Sequence, residues 1–399
     1  MDIFVGVIVG LLVLMFLITA HEFGHFIAAR RNGVRVLEFG ICFPPRAIAW
    51  VKDEKTSKWR RLPKSEWEKP QKGLIFSLNW LPIGGFCQMD GESANDSRDG
   101  TFGKASFWVK TKILFAGVAM NWLVAFIILT TLAWTGMPTF LENQFTVESD
   151  TRTNAEPVIV ENIIENSPAA SAGFQTGDKI KLASDTIINV PSDVTNFNKA
   201  HAGETVTYTL DRDGTEINLE TTLRAADSEE PLLGIGMSAK QTLSYSTWSA
   251  PVVGAGLTLQ LTGETLKGVG QLIGNLVSGV AQQFSFNDET REEGRAALGD
   301  VSEQVSGPIG IVGIIFPNFT STGFANVAFL AALISVSLAC MNILPIPALD
   351  GGRWLLIAIF KLRKKELTKE KEEKIVSRAF IFLIALVALV TILDIRRFF

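Results

Sequence analysis

The chain has 399 residues, 47% of them hydrophobic and 20% charged, with a mean hydropathy of +0.25 and a formal net charge of −4. It is too apolar for an ordinary soluble protein and too charged for a wholly lipid-embedded one, which implies a membrane protein with at least one water-exposed domain. Three widely spaced cysteines, Cys42, Cys87 and Cys340, exclude a disulfide framework or a Cys-based zinc ribbon.

Residues 1–30 predict a first transmembrane helix. Ile3 to Ala20 carry no charge, the start "MD" has no basic residue, and no small-residue cleavage site follows, so the segment reads as a retained helix and not a signal peptide. Residues 31–112 form a basic loop, and within it residues 74–92 predict a membrane-associated β-hairpin, apolar and β-prone, with Gly84-Gly85 allowing close backbone approach. Residues 113–137 predict a second span. Residues 155–225 alternate apolar and polar, with a hairpin signal at Asp213-Gly214 and a short helix opened by Ser167-Pro168 and closed by Gly173, which reads as a small β-rich domain. Residues 232–305 hold an amphipathic, interfacial helix within 250–281 and a polar linker. Residues 306–360 contain a third span broken by Pro345 and Pro347, residues 361–378 a basic loop, and residues 379–396 a fourth span.

Charge in the loops orients these spans. Arg30 to Lys112 holds 16 Lys+Arg against 9 Asp+Glu, and Lys361 to Arg378 holds 8 against 4, whereas Met137 to Lys240 holds 7 against 17. By the positive-inside rule the basic loops are cytoplasmic, and the β-rich domain and both termini lie outside. The basic stretch Lys52 to Lys72 carries Trp59 and Trp67 beside its cations; next to two spans it predicts contact with anionic lipid and not with nucleic acid.

The first span ends in "HEFGH". His21 and His25 are four residues apart, so on a helix both imidazoles reach one metal, with Glu22 beside them to take a proton from metal-bound water. Two ligands do not hold a catalytic zinc, and a third is required. The remaining histidine, His201, falls in the outer domain. The best candidate is Asp350, the only acidic residue between Ala325 and Phe360, preceded by Asn342 and the two prolines, where irregular backbone is tolerated only if it lines a cavity.

In its order of motifs the chain resembles the site-2 protease family of intramembrane zinc metalloproteases, over nearly its whole length. "HEFGH" comes first, then "LPIGGFCQMDGE", "FAGVAMNW" with Asn121, "SPAASAGFQTGDKI", "SGPIGI" and "NILPIPALDGG". The resemblance implies a polytopic α-helical membrane protein of about four transmembrane helices, with a membrane-associated β-hairpin and an extracytoplasmic, β-rich PDZ-like domain. It implies His21, His25 and Asp350 as ligands of Zn2+, Glu22 as the acid/base, and Asn342, Pro345 and Pro347 near the substrate. Only one PDZ-like segment is found, and "AGVAMNW" lacks a proline often seen after that glycine.

A transmembrane helix must unwind before it can be cut, and the edge of the 74–92 hairpin, with Gly84 and Gly85, is a plausible acceptor by β-addition. The expected substrates are single-span membrane proteins in the lipid bilayer of an inner plasma membrane, cut within their spans in regulated intramembrane proteolysis. The PDZ-like domain would bind a peptide carboxyl terminus, filter substrates or act as a spacer. Two other readings are a tethered zincin cutting outside the bilayer and a PDZ scaffold with a vestigial metal site.

Overall fold

A computed structural model describes residues 2–398 apart from 54–55, 68, 70, 72, 93–95, 97, 142, 155–157, 189–190, 226–227, 229, 240–242, 284–290, 293 and 296–309. Most of the expected linker at 284–303 and most of "SGPIGI" therefore lie outside the described residues. The chain divides into two compact units, Met1–Thr131 with Gly254–Phe399, and Leu132–Val253.

The first unit begins with α1 (Asp2–Arg31). Nothing interrupts its thirty residues, and its stop is local: Gly33 takes φ +77°, the Asn32 side chain donates to the Ala28 carbonyl, and Arg30 and Arg31 face the negative end of the helix dipole. α2 (Phe107–Thr135) starts six residues before the expected span, where the Ser106 hydroxyl accepts from the Val109 N–H, and ends at Gly136.

Between them, β1 (Val36–Lys52), β2 (Trp59–Arg61) and β3 (Ile75–Met89) form a sheet in the order β2-β1-β3. The pairing corrects the expected 74–92 hairpin. The two halves of β3 do not pair with each other; the first half of β1 lies between them. Ile41 faces Gly85 on one side and Leu78 on the other, and Gly40 faces Phe86 and Ser77. The second half of β1 then pairs with Ile75–Asn79 from the far side. A hairpin reading counts only neighbours in sequence, but each half of β3 gains a hydrogen-bonded partner by reaching back to β1. Gly84–Met89 is left as an edge, with no strand outside it among the described residues. One sheet face places Phe39 and Phe76 against Phe26 of α1 at ring separations of 5.3 and 5.6 Å.

The carboxyl-terminal part of this unit holds α6 (Phe316–Ser321), α7 (Phe324–Ile343), α8 (Asp350–Leu362) and α9 (Lys369–Phe398), after α5 (Ala250–Gln283), a single helix over the segment expected to be amphipathic. Phe316 packs into α1 at Gly10, where a Cβ would lie 2.8 Å from its ring. α7 ends at Leu344, which takes the extended backbone that a following proline imposes. Pro345 and Pro347 keep 344–349 out of the helix, as the sequence predicts.

By length and composition α1, α2 and α7 are long and apolar enough to cross a membrane; they are three such helices among the described residues. The fourth expected span lies within α9, where several side chains fall outside the described residues.

The second unit is built on a sheet in the order β10-β9-β7-β6-β11, with β8 (Thr186–Ile187) beside β7. Its strands are β6 (Val158–Ile163), β7 (Lys179–Ala183), β9 (Thr205–Arg212), β10 (Thr215–Thr222) and β11 (Ile235–Ala239). β9 and β10 are joined through Asp213 (φ +53°) and Gly214 (φ +84°), the two left-handed residues that a tight hairpin turn requires. α3 (Pro168–Ala172) has Ser167 as its cap, accepting from the Ala170 N–H, and Gly173 at φ +87° as its stop. α4 (Pro191–Ala200) adds Val194 and Phe197 to a core containing Val158, Ile180, Tyr208 and Leu210. The sheet takes in β11, beyond the expected end at residue 225. A smaller sheet joins β4 (Met137–Pro138), β12 (Leu243–Tyr245) and β5 (Arg152–Asn154).

Candidate metal centre

Helical spacing puts His21 and His25 on one face of α1, and both are 7% exposed. Their Nε2 atoms are 3.2 Å apart. Asp350, the first residue of α8, comes from 329 residues further along the chain, and its Oδ2 lies 3.1 Å from His21 Nε2 and 3.2 Å from His25 Nε2. Three donor atoms from two elements thus surround one point. Glu22 belongs to the same cluster, its carboxylate oxygen within 4.8 Å of the histidine nitrogens, and the Cys87 backbone N–H faces that carboxylate.

The far side of each imidazole decides whether these nitrogens can bind a metal. His25 Nδ1 is 2.8 Å from the Ile113 carbonyl, which can only accept, so Nδ1 carries a proton and, in the neutral ring, Nε2 keeps its lone pair for a metal. His21 Nδ1 is 3.3 Å from the Asn121 side-chain amide, and Asn121 is fully buried with no partner for its Oδ1. Turned by half a revolution, that amide presents Oδ1 to His21 Nδ1–H, which satisfies the orphaned oxygen and frees His21 Nε2 as well. The donor set suits zinc: two imidazole nitrogens and one carboxylate oxygen, separated by 3.1–3.2 Å, close to the roughly 3.3 Å between ligand atoms in a tetrahedral site with bonds of about 2.0–2.1 Å.

Glycines make this approach possible. A Cβ on Gly117 would lie 2.6 Å from both His21 Cε1 and His25 Nε2, and one on Gly24 would lie 2.3 Å from the Ala116 carbonyl. Gly351 and Gly352 would collide with the Ile343 and Ile346 carbonyls at 2.0 Å. The first pair brings α2 against the histidines, and the second lets the first turn of α8 fold back on the broken segment, which positions Asp350. The expectations above give Gly24, Gly117, Asn121, Gly351 and Gly352 no part in the site. Their signal was a run of small or polar residues in otherwise apolar helices, which calls for a close neighbour without naming it.

The remaining site candidates are placed differently. Gly84 and Gly85 lie where β3 passes α1, with Ile18 and Thr19 within 3.2 Å of the positions their Cβ atoms would take. Pro347 and Asp350 line a cavity of about 360 Å³, together with Glu92, Arg353 and Glu372. Arg353 bonds Glu372 at 3.3 Å. Pro345 sits in the break. Asn342 is half-buried, and its Nδ2 donates one of its two hydrogens to the Leu338 carbonyl one turn back within α7.

The family model for peptidase family M50 matches residues 9–387. The chain belongs to peptidase family M50. This is the site-2 protease family that the motifs resemble, and its members are zinc metalloproteases, so the M50 peptidase is a membrane metalloprotease with zinc as its cofactor. It is 26% identical to the zinc metalloprotease RasP of Bacillus licheniformis, over 98% of this chain and 99% of that protein. It is 25% identical to the regulator of sigma-W protease RasP of Bacillus subtilis, over 99% and 100%, and 27% identical to the putative zinc metalloprotease Atu1380 of Agrobacterium fabrum, over 91% and 88%.

Proposed function

We propose that the M50 peptidase cuts single-span membrane proteins within their spans, with His21, His25 and Asp350 holding zinc and Glu22 as acid/base. The meeting of the three donor atoms at 3.1–3.2 Å carries this reading. Bound there, zinc supplies a water of lowered pKa and polarises the scissile carbonyl. Glu22 takes the proton of the attacking water and returns it to the leaving nitrogen. Ile113 and Asn121 hold the two imidazoles in the ligating tautomer. The edge Gly84–Met89 pairs with the unwound substrate, and its two glycines let that backbone approach α1. Asn342, Pro345 and Pro347 border the same strand of substrate.

In the membrane we place four spans, with both basic loops in the cytoplasm and the second unit outside an inner plasma membrane. The sigma-W regulator named among the relatives supports regulated proteolysis of membrane-bound regulators as the setting. The second unit acts as a PDZ-like module. A cavity of about 470 Å³ between α4 and β11, lined by Asn198, Leu233 and Ile235, is where a peptide carboxyl terminus would add.

The test is reconstitution of the purified full chain with a single-span substrate. Cleavage inside the span by the native protein, lost with Glu22→Gln and with a zinc chelator, is the expected result. Equal cleavage in all three samples would refute the assignment.

A further inference from the structure

A second cavity, which none of the proposed metal ligands lines, collects cations at the end of α1. Its volume is about 400 Å³, and Arg30, Arg35 and Lys52 line it from three separate segments, along with Gly33, Asp53 and Ser57. The acidic member is already engaged: Asp53 Oδ1 accepts from the Thr56 N–H and hydroxyl at 2.8 and 3.1 Å. Arg35 shares Asp90 with Arg98. Arg30 lies over the Phe26 ring, and neither it nor Lys52 has a carboxylate partner among the described residues. Among the described residues that line the cavity, three cations, Arg30, Arg35 and Lys52, outnumber one carboxylate, Asp53.

Its depth follows from two independent elements. On α1 the last large exposed apolar residue is Phe23, and Arg30 is seven residues on, about 10 Å along the axis. On the sheet, exposed Leu78, Trp80 and Leu81 mark the apolar tip. Leu74, whose carbonyl accepts from the Lys52 N–H, is four residues from Leu78, about 13 Å along the strand. Exposed Trp50, opposite Phe76, lies between tip and base, and exposed Trp59 pairs with Lys52 at the base, the positions an interfacial aromatic belt takes. Helix and sheet put the three cations at one level, just past the apolar surface, where lipid phosphates lie.

We infer that this cavity binds the phosphate of an anionic phospholipid in the leaflet that covers this end of α1. The inference rests on α1 spanning the membrane and not on the metal site. Guanidinium and ammonium groups recognise a phosphate monoester or diester alike, so a lipid headgroup and free phosphate share the chemistry. The distance match to two lipid-facing surfaces favours the lipid.

The test is native mass spectrometry of the full chain in detergent, offered dioleoylphosphatidylglycerol, dioleoylphosphatidylcholine or inorganic phosphate. The expected result is one phosphatidylglycerol retained in preference to phosphatidylcholine and not displaced by millimolar phosphate. Arg30→Gln with Lys52→Gln weakens retention roughly thirtyfold, the fold-change that two interfacial cations correspond to. Arg30→Lys with Lys52→Arg keeps it, which separates charge from folding. Arg60→Gln with Lys64→Gln, cations of the same loop that do not line this cavity, leaves it unchanged. Equal retention of the two lipids, an unaffected glutamine pair, or equal loss in the control pair would overturn the inference. Full displacement by phosphate would reassign the cavity to a soluble anion.

Discussion

The two units both bury carboxylates, and they treat them in opposite ways. In the second unit Asp178 is almost inaccessible, and its acceptors are filled: Arg212 Nε at 2.7 Å, Arg212 Nη2 at 2.8 Å and the Gln175 N–H at 2.8 Å. Asp150 is likewise saturated by the N–H and hydroxyl of Thr247 and of Ser249. In the first unit Asp350 meets two imidazoles, His21 and His25, whose far nitrogens lie against the Ile113 carbonyl and the Asn121 amide. A buried carboxylate whose acceptors are filled by donors is a brace. One set 3.1–3.2 Å from two imidazole nitrogens is placed to share a metal ion with them.

The sharpest way to break this comparison is at Glu22, which shares the cluster without completing it. Glu22→Gln should lower the cleavage rate by about 10²–10⁴-fold while metal analysis still finds one zinc per chain; loss of zinc together with activity would make Glu22 a ligand instead. Asp350→Ala should remove both zinc and activity, whereas Asp178→Asn should leave both untouched. An Asp350→Ala protein that keeps its zinc would erase the distinction between the two carboxylates. Next in size, Asn121→Leu and Gly117→Ala should each weaken zinc binding about 10–100-fold, the first by freeing the His21 tautomer and the second by pushing both rings aside, as a competition titration with a chelator would measure.

Smaller effects belong to the second unit. Arg212→Ala should destabilise it by about 1.5–3 kcal/mol, seen as a lower thermal midpoint for that unit, with zinc content unchanged. Acid should do the same. Burial pushes the Asp178 carboxyl up, but the Arg212 guanidinium and the Gln175 N–H outweigh it and hold the group below the usual carboxylate range; the hydroxyls and N–H groups of Ser249 and Thr247 do so for Asp150. A depressed folded value means stability present above the unfolded value of about 3.9 and lost as pH falls from there through the folded value. The midpoint of this unit should therefore fall below about pH 4, less steeply in Asp178→Asn; a flat profile in the native protein would contradict the assignment.

Much of the metal centre was legible because its chemistry is local or conspicuous. "HEFGH" fixes two imidazoles by helical spacing alone, and Asp350 stands out as the one acid in an apolar run. What was not legible depends on contact between segments far apart in sequence. Gly24 and Gly117 show their purpose only when α1 and α2 touch, and Asn121 only when His21 lies beside it. The sheet shows the same limit. The β-prone run from 74 was visible, but not that β1 would slip between its two halves, because strand propensity does not specify the partner. In the second unit the turn at Asp213-Gly214 and the caps of α3 were legible, since each is settled within a few residues.

The distance in sequence between the ligands has a consequence for synthesis. His21 leaves the ribosome early, and Asp350 joins it only after 329 further residues. A chain interrupted between Val253 and α8 would carry the whole second unit and the "HEFGH" helix yet lack Asp350. If Asp350 is the third ligand, as proposed, competence to cut is withheld until nearly all of the polypeptide exists, and shorter fragments should be inert.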